Sequence, residues 1–409
     1  IENIFILSVQ HVLRLLLPLL VIPLVARSTS STDFGIYMYA VSAAAWLSSL
    51  IEYGFGISAA RAIASAQSQD MVRQIVSSTQ SAKVLLVLMS AVVGFVLSIV
   101  LPSIQDHWQW SIATWLRGVL IALQPTYYFQ GQERLRLVGM VELAIGAVTF
   151  LLVLTLVSGP EHFFRLPLIL VLTRLASLVF LTIAMQRETT LSLGDMFHVR
   201  AGWQSLCTGL HVFVFQAAVS LYTTFNVIFL GFLVPPEHVG PYATAERLMR
   251  AGLGFLGQIS TALLPRLTAL RDTDLDAMRS IRGRALLWMI GLGGGGCVVT
   301  ILFGPWLTQA LLGDKAGQVG VIIQTMAWVV PAIALSSALG FQYLLVNHLE
   351  RAFNRVILTA AALSLPTSFI LVRLTGPQGM AISWVAIEWV ITITLIVLVR
   401  YSNHARNRS

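Results

Sequence analysis

Charge is what this chain has least of. Acidic and basic side chains make up 11% of its 409 residues, where soluble chains carry about 25%. A soluble fold of this size would lack the polar surface to stay in water, so that class is excluded. Cysteine is nearly absent. Cys207 and Cys297 are too few for a disulfide framework, and their spacing matches no zinc site. Lysine is reduced to Lys83 and Lys315, a bias we ascribe to genome base composition rather than to mechanism. Long polar segments are missing too, so neither side of a membrane would carry a catalytic loop. No Ser/His/Asp, Cys/His or metal constellation stands out, and we expect neither an enzyme nor a metal or organic cofactor. A coupling ion, H+ or Na+, is left open.

What is present is apolar: 56% of the residues are hydrophobic, and they come in runs. A helix crossing a bilayer needs roughly 20 of them in succession. Such runs lie at roughly 4–25, 36–58, 83–101, 111–129, 138–157, 165–185, 211–233, 241–261, 285–303, 319–345, 356–374 and 380–400. They are continuous rather than alternating, which selects helices over barrel strands. The first run lacks a cleavage signature and is read as a span, not a signal peptide. The chain opens on Ile1 without Met, so a few native residues are expected before it. The expectation is therefore an all-α protein of about twelve membrane spans.

Lys and Arg set the orientation. One set of connections holds Arg61, Arg73, Lys83, Arg134, Arg136, Arg187, Arg200, Arg266, Arg271, Arg279, Arg282, Arg284, Arg351, Arg355, Arg400, Arg406 and Arg408. The other holds Arg27, Arg165, Lys315 and Arg373. This asymmetry puts both termini in the cytoplasm, which agrees with an even number of spans. The formal net charge of +8 does not mean nucleic acid, because the basic residues are scattered between apolar runs rather than gathered on one face.

The chain also repeats itself. The second run opens Gly35-Ile36-Tyr37-Met38-Tyr39-Ala40 and the eighth Gly240-Pro241-Tyr242-Ala243-Thr244-Ala245, both reading Gly-x-Tyr-x-x-Ala. Their offset, 240 minus 35, is 205 residues, and the same offset carries Arg61 onto Arg266. Glu133-Arg134 after the fourth run matches Glu350-Arg351 after the tenth, at 350 minus 133, or 217. Three matches in order favour a duplication. It gives two six-helix lobes, 1–205 and 206–409, of the same orientation, related by an axis along the membrane normal. Such lobes are expected to enclose a central cavity, with a substrate site near the midplane and alternating access.

The stretch from Leu17 to Ala64 (LPLLVIPLVARSTSSTDFGIYMYAVSAAAWLSSLIEYGFGISAARAIA) carries Pro-x-x-Ala-Arg, then Phe-Gly-x-Tyr, then Glu52-Tyr53-Gly54-Phe55, then Arg61. With Tyr242-Ala243-Thr244-Ala245-Glu246-Arg247 and Leu264-Pro265-Arg266, it resembles Wzx-type polysaccharide flippases of the multidrug/oligosaccharidyl-lipid/polysaccharide exporter superfamily. Glu52 stands where that family would have Asp. The resemblance implies a flippase that moves an undecaprenyl-pyrophosphate-linked oligosaccharide from the cytoplasmic to the periplasmic leaflet of a bacterial inner membrane. Its partners would be membrane lipid and, beyond it, polysaccharide polymerase and export machinery. It also implies that spans one, two, seven and eight line the cavity.

Arg14, Arg117, Arg174, Arg247 and Arg250 fall inside runs. At about 2.5–3.5 kcal/mol each on insertion scales, five lipid-facing arginines would cost roughly 12–17 kcal/mol, so each must find water, a partner charge or a ligand. Arg247, Arg250, Gly254 and Gln258 share one face of the eighth span by their spacing. Gln216, Ser220, Thr223 and Asn226 make a polar stripe on the seventh, and Gln10, His11 and Arg14 cluster on the first, where Pro18 leaves the Arg14 carbonyl without its helical partner.

One reading makes Arg14, Arg247 and Arg250 a pyrophosphate site, since guanidinium keeps its charge and grips phosphate oxygens in pairs. The other pairs the arginines with the intramembrane carboxylates Glu52, Glu142, Glu246 and Glu388. Pairing is favoured for Arg117 and Arg174, whose spans lie outside the expected lining. Glu52 and Glu246 are candidates for ion coupling or for pairing. His11, Gln216, Thr223, Asn226 and Gln258 are expected to line the cavity, and Arg61 and Arg266 to form a cytoplasmic gate or to meet lipid headgroups. Tyr37, Trp46, Tyr53, Tyr222 and Tyr242 are either sugar-stacking platforms or ordinary interface aromatics.

Gly291, Gly293 and Gly296 spell Gly-x-Gly-x-x-Gly, but no strand precedes them, so close helix packing is the better explanation. Two other functions compete. A multidrug exporter of the same superfamily would favour carboxylates over arginines in its cavity. A membrane polysaccharide polymerase or ligase would carry a long outer loop.

Overall fold

The computed structural model describes residues 19–100, 108–191, 194, 197–347 and 349–406. All regular structure among them is helical, with no strand. In chain order the elements are α1 (Leu19–Ser28), α2 (Ser31–Glu52), α3 (Phe55–Ala64), α4 (Gln69–Val100), α5 (Trp108–Leu123), α6 (Thr126–Gly131), α7 (Leu135–Leu156), α8 (Arg165–Thr189) and α9 (Val199–Thr223). Then come α10 (Asn226–Gly231), α11 (Pro236–Thr273), α12 (Leu275–Leu312), α13 (Ala316–Met326), α14 (Val329–Leu339), α15 (Glu350–Thr375) and α16 (Pro377–Arg406). A π-helical turn, Gly340–Leu345, follows α14.

Among the described residues, seven helices are long and apolar enough to cross a membrane, or eight if a pair in α9 that bends by 47° counts as one span. Several of the twelve apolar runs are not single helices. The fourth is split by Gln124-Pro125 into α5 and α6, because proline at 125 offers no N–H to a carbonyl one turn back. The tenth is divided among α13, α14 and the π turn. Large apolar side chains point outward: Leu88, Val92 and Phe95 on α4, and Leu302, Phe303 and Trp306 on α12, are all more than half exposed. Water would not tolerate such surfaces and lipid does, so this is a multi-pass membrane protein. The α11 and α12 helices have 38 residues each, about 57 Å at 1.5 Å per residue. That exceeds the roughly 30 Å hydrocarbon core, so both project beyond it. They meet at Asp274, whose Oδ1 accepts from the Ala277 N–H at 2.9 Å and caps α12.

The chain forms two compact units, Ile1–Ser220 and Leu221–Ser409. In the first, α2 starts behind Ser30, whose Oγ accepts from the Asp33 N–H at 3.0 Å. The helix ends where Tyr53 (φ 56°) and Gly54 (φ 81°) turn left-handed. Glycine is required at 54 twice over, by its φ and because an added Cβ would lie 2.8 Å from Val212 Cγ1. Tyr53 locks this elbow onto α9: its hydroxyl donates to the Leu206 carbonyl at 3.2 Å, and its ring stacks on Phe213 at 4.2 Å.

Lys83 corrects the loop count made from sequence. It is 2% exposed, not a loop cation, and its ammonium donates to the Ala122 carbonyl at 2.7 Å and the Gln124 carbonyl at 3.3 Å. Those carbonyls are freed by the break at Pro125, so the cation caps a broken helix from within. The remaining counts still favour one side heavily. Close by, Gln124 Nε2 donates to Ser177 Oγ (2.9 Å), Ser177 to Glu142 Oε1 (3.2 Å) and Arg174 to Glu142 Oε2 (2.7 Å). Arg174 is thus paired, as expected. Arg117 lies on α5 and lines a small cleft with Trp110 and Leu170.

In the second unit, α12 packs on α13 and α14, α14 on α16, and α15 on α16. An added Cβ on Gly293 would sit 2.8 Å from Ala334 Cβ and 3.0 Å from Pro331 Cα, and one on Gly296 would sit 3.1 Å from Val330. These two glycines of the Gly-x-Gly-x-x-Gly stretch therefore serve close helix packing, whereas Gly291 faces open space. Cys207 is exposed and Cys297 buried, and both are free thiols.

Candidate functional site

The site is built where the seventh span breaks. The α9 helix ends at Thr223 and α10 begins at Asn226, and a broken helix leaves carbonyls without partners. Asn226 Nδ2 reaches back to the Tyr222 carbonyl at 3.2 Å. The Thr223 carbonyl accepts from Arg250 of α11. Arg250 also binds Glu246 one turn before it on the same helix, with Nε donating to Oε1 at 3.1 Å and the terminal nitrogen to the same oxygen. Its guanidinium stacks over the ring of Trp384, 5.0 Å from the centroid. Trp384 in turn donates from Nε1 to Glu388 Oε1 at 3.3 Å.

Burial grades this cluster. The Glu246 side chain is 5% exposed, whereas Arg250 keeps 32%. Glu388 and Tyr222 are buried. Arg247 is half-buried and lies within electrostatic reach of Glu246. Two arginines therefore stand beside two carboxylates, and the more accessible groups are the cations. Further along the face, an added Cβ on Gly254 would meet nothing within 4 Å among the described residues, so the helix face one turn past Arg250 has room beside it. The arrangement suits a ligand anion: a guanidinium fixed at Arg250, a second cation at Arg247 one turn away, and a carboxylate that neutralises Arg250 when the ligand is away.

The sequence-derived candidates fall into groups. Arg247, Arg250, Glu246, Thr223 and Asn226 come together here. Gln216 is half-buried on α9. Gln258 lies on α11 with its side chain outside the described residues, and Arg14 and His11 lie outside them altogether. Glu52, at the end of α2, is exposed and makes no ion pair with Arg61; it lies within electrostatic reach of Lys83. Arg61 on α3 and Arg266 on α11 are both exposed. Of the aromatics, Tyr37 packs edge-on against Trp110, Tyr53 is stacked on Phe213 and Tyr242 is fully buried, so these three serve packing. Trp384 escaped the sequence reading. Its signal was the four-residue spacing to Glu388 inside an apolar helix, which puts an indole N–H beside a carboxylate. No group of His, Cys, Asp and Glu among the described residues has the arrangement of a metal site.

Residues 1–271 match the family described as "Polysaccharide biosynthesis protein". The chain belongs to that family. Among curated relatives, it is 28% identical to a protein named "Putative O-antigen transporter" from Escherichia coli (strain K12), over 98% of this chain and 96% of that one. A protein of the same name from Shigella dysenteriae is 27% identical, over 98% and 100% of the two chains.

Solved structures share the family member's fold at low identity. The lipid II flippase MurJ in an inward closed conformation aligns with TM-score 0.76 at 11% identity, covering 97% of this chain and 87% of that one. An inward-facing multidrug resistance MATE family transporter of the MOP superfamily aligns with TM-score 0.67 at 12% identity, covering 97% and 96%. The fold is that of the MOP-superfamily transporters, and the Wzx-type resemblance read from the motifs agrees with the family match.

Proposed function

We propose that this protein is a flippase that carries an undecaprenyl-pyrophosphate-linked oligosaccharide from the cytoplasmic to the periplasmic leaflet of a bacterial inner membrane. Both termini lie in the cytoplasm, and about twelve spans in two like-oriented repeats supply alternating access. The observation that carries the reading is the pair Arg247 and Arg250 on one helix inside a membrane, with room on its face one turn past Arg250, in a chain of a polysaccharide biosynthesis family. The names of the curated relatives support it.

The pyrophosphate binds Arg247 and Arg250, with Arg14 as a third contributor, and Glu246 gives way to it at Arg250. Guanidinium suits this work because it stays charged in a dry site and binds phosphate oxygens two at a time. The lipid tail remains in the bilayer while the sugars cross a wet path lined by residues such as Gln216, Thr223 and Asn226. The chain performs no covalent chemistry. It hands its product to polymerase and export machinery, and a coupling ion, H+ or Na+, drives the cycle.

The test is complementation in a host lacking its own flippase for the polymer. Arg247→Ala and Arg250→Ala are expected to insert normally yet lose surface polysaccharide, with lipid-linked repeat units accumulating inside. Wild-type polymer from both variants would remove the arginines from the site. Drug resistance without polymer from the unmutated chain would make it a multidrug exporter instead.

A further inference from the structure

A second place in the molecule, around Arg61, has the chemistry of a ligand site. In the first unit, α9 is pinned at two points. Near its start, the His198 N–H donates to Ser81 Oγ at 2.9 Å, and an added Cβ on Gly202 would come within 2.8 Å of the α4 backbone. Further on, Tyr53 and Gly54 hold it at Leu206 and Val212. Between these pins α3, the first turns of α4 and one face of α9 leave an open groove of about 890 Å³. That volume falls within the roughly 300–1,000 Å³ of small-molecule sites. The face is regular: Ala201, Ser205, Thr208 and Val212 recur at helical spacing along α9.

Among the described residues the lining is one-signed. Arg61, Arg73, His198 and His211 face the groove, with Gln74, Gln204 and several serine and threonine hydroxyls between them. No described lining residue carries a carboxylate. An ordinary solvated surface mixes both signs, as the Arg266–Arg284 segment does. Arg73 is fixed before any ligand arrives: Nε donates to the Thr189 carbonyl at 2.8 Å, one terminal nitrogen to Thr190 Oγ1 at 2.6 Å and the other to Asp70 at 3.2 Å. Three of its five N–H groups are thereby used and two remain. Arg61 makes no ion pair among the described residues.

We infer that this groove binds a phosphate ester with a hydroxyl-rich headgroup. The guanidiniums and imidazoles meet the phosphate, and the amides and hydroxyls meet the ligand's hydroxyls. Such chemistry comes either on a lipid, as in phosphatidylglycerol, or free in water, as in glycerol 3-phosphate. The inference stands apart from Arg247 and Arg250 and does not depend on transport.

The test uses the purified full chain in uncharged detergent. Phosphatidylglycerol binding is followed by native mass spectrometry and glycerol 3-phosphate binding by calorimetry. Arg61→Gln is expected to weaken binding at least about tenfold, as loss of a charged hydrogen-bonding partner does. Arg200→Gln removes an equal charge from an exposed α9 residue outside the groove and is expected to change nothing. Should Arg61→Gln fail to fold, His211→Gln, altered at an exposed side chain, gives the same reading with about a two- to threefold loss. Binding of the lipid without competition by the soluble ester assigns the site to a membrane headgroup. Binding of both, with the same sensitivity to Arg61, assigns it to the phosphate ester itself. No binding of either probe, or equal losses in Arg61→Gln and Arg200→Gln, overturns the inference.

Discussion

Replacing Glu246 by Gln isolates the contest for Arg250. The substitution keeps the shape of the side chain and its Oε1 acceptor but removes the charge. In the native chain that oxygen takes two bonds from Arg250, from Nε at 3.1 Å and from a terminal nitrogen. Arg250 stays charged, so its bonds to Gln remain charge-assisted and what is lost is the charge–charge attraction, about 1 kcal/mol for each bond in a partly exposed pair. The two together lose about 2 kcal/mol of their hold on the arginine. The anion no longer has to displace a carboxylate, so that energy appears as affinity, about thirtyfold. The Thr223 carbonyl and the Trp384 ring still fix the guanidinium, so the fold should persist. Calorimetry with inorganic pyrophosphate on the purified protein gives the answer. Tighter binding in Glu246→Gln, lost again in Glu246→Gln/Arg250→Gln, is the expected outcome. An affinity equal to or below that of the native chain would refute the competition, and Glu246 would then be a structural partner only.

Three further outcomes follow from the packing, each read by thermal unfolding in detergent. Lys83→Met keeps the buried stem but strands the Ala122 and Gln124 carbonyls. It should cost about 2–4 kcal/mol, and an unchanged midpoint would mean that another group caps the break. Gly54→Ala puts a Cβ into the left-handed region and against Val212. A cost of about 2–4 kcal/mol is expected, where Ala at neighbouring exposed positions should cost almost nothing. Arg174→Met leaves the Glu142 charge in a half-buried site and should cost about 3–5 kcal/mol, much of it regained in Arg174→Met/Glu142→Met. A double variant as unstable as the single would show that the charge is not the problem.

Much of the fold was legible because a bilayer leaves few choices. Low charge and continuous apolar runs dictate helices, and the outward-facing Leu, Val, Phe and Trp side chains of α4 and α12 are the structural face of that same composition. The breaks inside spans were harder to see. Pro125 ends α5 because it lacks an N–H, yet the group that repairs the break, Lys83, lies about forty residues earlier and looks like a loop residue. Lys83 was misplaced for this reason, since a count of charges cannot tell a lysine at a membrane edge from one folded inward onto free carbonyls.

The site was legible by halves. Helical spacing along one face brought Arg247, Arg250 and Gly254 together, because that follows from 3.6 residues per turn alone. The i,i+4 spacing of Glu246 and Arg250 was equally visible. Trp384 was not, since a tryptophan in an apolar helix has no sequence feature that says which ring face will carry a guanidinium. The Thr223 carbonyl was hidden as well, because a backbone acceptor becomes available only where a helix breaks.

The central claim is that Arg247 and Arg250 hold the pyrophosphate of a lipid-linked sugar during its passage. The most direct measurement is flipping in proteoliposomes that contain the purified protein and an undecaprenyl-pyrophosphate-linked oligosaccharide, with leaflet exposure followed over time. The native chain is expected to flip the lipid, whereas Arg247→Ala/Arg250→Ala, reconstituted to the same level, should be slower by at least about a hundredfold, as two charged contacts would give. Native-rate flipping by the double variant, or no flipping by the native chain under any ion gradient, would contradict the account.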